Sequence, residues 1–179
     1  MENHPIYQLK LALDKANLWQ GPMLLSRGEF LTQPGTTDQR LYYVDKGSLR
    51  AFVMEGDEEH TVRFGYKTSF FAAIDSFVGG QPTNFYIQAL KKSELKYISK
   101  ASVRGFLKEQ GLTDIWETLL SDLVLQQLER ELDLLTYSPE ERYQRVLSRS
   151  PQLFQHIPFR YIAAYLRMTP ETLSRIRKS

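Results

Sequence analysis

Residues 157–179 read IPFRYIAAYLRMTPETLSRIRKS and hold the groups best suited to chemistry. Glu171, Thr172, Ser174, Arg175, Arg177 and Lys178 crowd into eight positions. They combine acceptors, hydroxyls and cations, a set suited to base edges and phosphates. Thr169 offers a side-chain oxygen just before Pro170, and proline at a first helical position loses only an N–H that had no partner there. Upstream, Ile162, Ala163, Tyr165 and Leu166 recur at helical spacing, and Leu173 and Ile176 begin a second apolar line. The spacing predicts two short helices around a tight turn, a DNA-binding helix-turn-helix. The competing reading is an ordinary helical hairpin with a solvated basic face.

Charge is distributed unevenly over the 179 residues. The net charge is +2, but residues 137–179 carry eight Lys/Arg against three Glu, a balance of +5, on a body of −3. A basic tail is what backbone neutralisation on DNA requires. The chain has no cysteine, which excludes disulfide scaffolds, thiolate metal sites and thiol catalysis. The three histidines, His4, His60 and His156, lie far apart in sequence, so no metal site is expected and a metal-dependent barrel enzyme is disfavoured. No glycine-rich phosphate loop or nucleophile elbow is present, and no catalytic residue is assigned. No apolar run approaches a membrane span and the first residues lack a signal-peptide core, which predicts a cytoplasmic protein without a membrane partner.

The elements that would position the tail follow from periodicity. Residues 6–20 are expected to form a helix. Short β-prone segments at 41–45, 49–54, 60–64, 85–90 and 95–98, separated by glycine turns, predict a β sandwich or barrel. A compact helical turn is expected within 69–82 and a short helix over 102–109. The longest element spans 113–135, with Trp116, Leu119, Leu120, Leu123, Val124 and Leu128 on a broad apolar stripe that continues through Leu132 and Leu135. Such a helix is expected to pack on its twin in a homodimer, the alternative being packing on the β body alone. Ser138 and Pro139 then restart the chain as a further helix.

This succession resembles the Crp/Fnr family of bacterial transcription regulators. The resemblance rests on LYYVDKGSLRAFVMEGDEEHTVRFGYKTSFF in the body and TPETLSRI at 169–176 in the tail. It implies an α+β fold: an N-terminal β-roll (jelly-roll or double-stranded β-helix) sensor of cyclic-nucleotide-binding type over 1–112, a dimerisation helix over 113–136, and an all-α helix-turn-helix domain over 137–179. Double-stranded DNA, a second copy of the chain and RNA polymerase are the partners it implies.

Within the family, Gly-Glu and Arg-Ser/Thr anchor cyclic AMP. The matching positions here are Ala72-Ala73 and Thr83-Asn84. Cyclic AMP is therefore not expected as a cofactor, and Phe71, Ala72, Ala73, Thr83 and Asn84 are left as a candidate pocket for another effector. The family's base-reading Glu and Arg match Glu171 and Arg175, whereas Pro170 stands where well-known members have Arg, which implies a different recognition sequence. Arg167 fills a turn position where the family often has Gly. Phosphate contacts are expected from Arg160, Arg167, Arg177, Lys178, and from Arg142 or Arg145. The span 151–158 leaves little room for a β wing. A sensing or protein-interaction module without DNA binding is the remaining alternative.

Overall fold

The computed structural model describes residues 5–178; His4 and Ser179 lie outside the described residues. Helix α1 (Pro5–Lys15) buries Leu9 and Leu13, one turn apart. It ends earlier than the apolar spacing predicts, because Asn17 turns the backbone left-handed at φ 52°. Gly21-Pro22 then lies in strand β1 (Gln20–Leu25), which the sequence reading missed.

Among the described residues, eight strands form two four-stranded antiparallel sheets. Strands β2 (Phe30–Thr32), β3 (Arg40–Lys46), β4 (Ser48–Glu55) and β5 (Glu58–Tyr66) come first. Strands β6 (Phe70–Phe71), β7 (Tyr86–Ala89) and β8 (Ser93–Ser99) complete the set. The order is β1-β8-β3-β6 in one sheet and β2-β7-β4-β5 in the other. Tyr42, Val44, Leu49, Ile87 and Leu95 fill the space between them with less than 1% exposure. Gly47 joins β3 to β4 with φ 91°, and a Cβ there would fall 2.2 Å from Ser93 Oγ, so the hairpin requires glycine.

Helices cover the ends of this sandwich. Helix α2 (Ile74–Gly79) closes on Gly80 in the left-handed region, and α3 (Lys100–Glu109) starts where Ser99 Oγ accepts from the Ser102 amide at 3.0 Å. Helix α4 (Thr113–Leu135) has the bounds its periodicity predicts. Its apolar stripe, however, divides into two faces. Ile115, Trp116 and Leu119 pack with α1, α3 and Phe77, and Leu123 faces the body beside Phe71. Val124, Leu125, Leu128, Leu132 and Leu135 point outward, each at least 50% exposed.

Helix α5 (Pro139–Arg149) is capped by Ser138 Oγ, which accepts from the Glu141 amide at 3.3 Å. A single turn α6 (Leu153–His156) occupies the span where no wing was expected, followed by α7 (Phe159–Tyr165) and α8 (Pro170–Lys178). One apolar cluster runs from Phe64 on β5 through Val146, Leu153, Ile162 and Leu166 to Leu173 on α8.

Candidate nucleic-acid interface

Helices α7 and α8 are held by their apolar faces. Ile162, Ala163, Leu166 and Leu173 are at most 1% exposed, which fixes the phase of both helices. Between them Arg167 adopts φ 52°, the left-handed geometry a tight turn needs and a non-glycine residue resists. The Thr172 amide donates to Thr169 Oγ1 at 3.2 Å, so the start of α8 is capped as its sequence predicts.

With Leu173 inward, Glu171, Arg175 and Lys178 come out on one exposed face at i, i+4 and i+7. Ser174 joins them, and together with Phe159 and Pro170 they border an open concavity of about 640 Å³. The amide of Glu171 itself and the Thr169 hydroxyl hold the Glu171 carboxyl below its ordinary value, so it is an anionic acceptor at neutral pH. The Arg177 guanidinium lies 5.1 Å from the Phe159 ring centroid, on the flank of the same surface. Thr172 is half-buried, and its amide makes the capping bond. Arg160 is exposed but sits apart, at a second concavity with Arg50, Glu59 and Tyr161.

Two expected phosphate contacts are corrected. Arg142 is 8% exposed and donates to the carbonyls of Leu166 at 2.6 Å and Thr136 at 2.9 Å. Arg145 bonds Asp133 at 3.2 Å and Glu129 at 3.0 Å, and Arg149 shares both carboxylates. The Ser138 cap sets the phase of α5 so that these arginines face α4 and the interhelical turn instead of solvent. Charge counting could not show this.

The residues proposed for an effector do not gather in one place. Phe71 and Ala72 border an apolar cavity of about 120 Å³ against Trp116, Leu119 and Leu123 of α4. Ala73 is buried at the start of α2, where its carbonyl accepts from the Phe77 amide at 2.7 Å. Thr83 is buried, but its hydroxyl donates to Asp75 at 2.7 Å, and the amide of exposed Asn84 donates to the same carboxylate at 2.8 Å. The loop amide and hydroxyl that an anion would seek are thus taken by the chain's own Asp75. Sequence reasoning passed over Asp75; an acidic residue in the first turn of a helix that follows Ala-Ala was its signal.

Residues 22–110 match the family model of the cyclic nucleotide-binding domain. That segment runs from β1 to the end of α3. No curated protein sequence matches the chain. Among solved structures, the chain is similar to the catabolite activator protein of Thermus thermophilus at 24% identity and a TM-score of 0.59, covering 97% of this chain and 85% of that one. It is similar to a CooA variant from Carboxydothermus hydrogenoformans at 17% identity and a TM-score of 0.70, over 92% and 77% of the two chains. It is also similar to the global regulator CLP of Xanthomonas campestris at 16% identity and a TM-score of 0.68, over 94% and 90%. These structural neighbours are Crp/Fnr-type regulators, and the likeness at such identities is one of fold. No helix among the described residues is long and apolar enough to cross a membrane.

Proposed function

We propose that the chain is a sequence-specific DNA-binding transcription regulator of Crp/Fnr type that acts as a homodimer and does not respond to cyclic AMP. The observation that carries this reading is the exposed face of α8, where Glu171 and Arg175 stand one turn apart on a helix anchored by buried Leu173. An ionised carboxylate accepts from cytosine N4, and a guanidinium forks onto guanine O6 and N7. Ser174, Thr169, Thr172, Arg167, Arg177 and Lys178 would supply the surrounding hydroxyl and phosphate contacts, and Arg160 a phosphate contact set apart from them.

The homodimer is supported by the outward face of α4. Leu125, Leu128, Leu132 and Leu135 follow a 3-4-3 spacing, the seam of a two-stranded coiled coil. Two α8 helices about 34 Å apart would then read a palindrome. In this reading 1–112 is the sensing part, 113–136 the dimer helix and 137–179 the reader, with RNA polymerase as a further partner. Insensitivity to cyclic AMP is supported by Asp75, whose negative charge occupies the loop where the cyclic phosphate would need a cation.

Selection of bound sequences from random DNA tests the proposal, with enrichment of one palindromic site as the expected result. Absence of any enriched site would leave the sensing or protein-interaction role instead. Titration calorimetry with cyclic AMP is expected to give no saturable signal at micromolar concentration, and a clear isotherm would refute that part.

A further inference from the structure

Between β5, α4, α5, α6 and α7 lies a small cavity of about 90 Å³. Arg63, Arg130 and Arg149 line it together with Tyr66, Tyr165 and Gln126, and no lining residue is acidic. Arg130 is 7% exposed, and its Nη1 has no hydrogen-bond partner among the described residues. Its guanidinium carbon sits 3.6 Å from the centroid of the Tyr165 ring, a cation–π contact that holds it against one wall. Arg63 gives Nη2 to Gln126 Oε1 at 2.8 Å, a neutral partner. Arg149, by contrast, is neutralised by Glu129 and Asp133. Burial lowers the proton affinity of Arg63 and Arg130, yet a guanidinium stays charged at neutral pH.

A buried cation is costly to hold without an anion beside it. Neither Arg130 nor the half-buried Arg63 forms an ion pair among the described residues, although Asp133 acts on Arg130 through space, and the donor left open belongs to buried Arg130. We propose that this cavity is a binding site for a small oxyanion of the phosphate class, held by Arg63 and Arg130 between the β body and the C-terminal helices. The guanidinium fork matches two oxygens of such an ion. The site is separate from the loop that Asp75 closes, and it does not depend on whether α8 reads DNA. Its walls belong to five elements, so a bound anion would fasten α5, α6 and α7 to β5 and α4. The occupant is either a free inorganic ion or the phosphate group of a larger metabolite.

Thermal unfolding and titration calorimetry of the full chain in sodium phosphate, against sodium chloride at equal ionic strength, test the site. A saturable rise in melting temperature with phosphate and none with chloride is expected. Arg130→Gln should weaken phosphate binding about tenfold or more, as expected for loss of a charge-assisted hydrogen bond. The exposed arginines remain in this variant, so binding to the basic surface would not be lost with it. Arg63→Gln is the second variant should Arg130→Gln fail to fold, and it should show the same loss. Glucose 6-phosphate binding more tightly than phosphate would identify an organic phosphate as the occupant, and the reverse order a free ion. Equal melting temperatures in phosphate and chloride, or an unchanged isotherm in a folded variant, would overturn the proposal.

Discussion

Arg142 Nη1 donates a 2.6 Å hydrogen bond to the carbonyl oxygen of Leu166, at the turn between α7 and α8. The same guanidinium closes the carbonyl of Thr136 at the end of α4 through Nη2 at 2.9 Å. One buried side chain therefore sets where α8 begins relative to the long helix. Arg142→Ala would leave both carbonyls without that donor and is expected to cost about 2–4 kcal/mol. Chemical denaturation of parent and variant reads this directly, and a change below 1 kcal/mol would deny Arg142 the structural role.

Arg167 has opposite effects on stability and on the proposed DNA contact. Its left-handed φ of 52° is a conformation glycine adopts freely. Arg167→Gly should raise stability by about 0.5–1 kcal/mol while weakening DNA binding in a salt-dependent way. Denaturation and fluorescence anisotropy at two salt concentrations separate the two effects.

In the proposed reading Arg175 is the side chain that reads a base. Arg175→Ala should cost about 1–3 kcal/mol on the selected site and relax specificity at one position. Arg177→Ala should weaken all sequences alike. Identical binding curves for parent and Arg175→Ala would remove that residue from the interface.

The two faces of α4 make different predictions. Leu128→Glu with Leu132→Glu alters only exposed positions and should give a folded monomer in sedimentation. Leu123→Glu places charge beside Phe71 and Leu119, and should instead lower the melting temperature. A parent that sediments as a monomer would contradict the assigned seam.

How much of this was legible in sequence depended on element length and on the distance between partners. Helix α4 offers more than six turns of apolar recurrence, and Ser138 and Thr169 have the side chains a cap requires; all three were readable. Strands β2 and β6 have three and two residues, too short for an alternation to register. The division of the α4 stripe was hidden because period alone does not say what lies on each side. Arg63, Arg130 and Tyr165 are joined only by the folding of β5, α4 and α7 against one another, so their cavity left no local pattern. Arg142 was misplaced for a related reason: a sequence shows a charge, not the carbonyls it will meet.

His156 gives the pH dependence. It stacks on Tyr66 of β5, with ring centroids 5.3 Å apart, and burial first, then Lys91 and Lys67, lower its pKa from the ordinary 6.5. The folded state thus binds the proton less tightly than the unfolded state. Its contribution is complete above pH 6.5 and is lost as pH falls from there towards the lowered folded value. The melting temperature of the parent should fall more steeply than that of His156→Gln below that pH, as read by thermal scans across the range. Parallel curves would show that the ring does not titrate against folding.

The apolar cluster that runs from Phe64 to Leu173 has one more consequence, for cooperativity. Phe64 of β5 and Leu90 join a cluster whose other buried members come from residues 143–173, so the sandwich loses part of its own packing when the C-terminal helices leave. The C-terminal helices behave less like a head on a free hinge than like a keystone: removing them exposes the face of β5 they rest on.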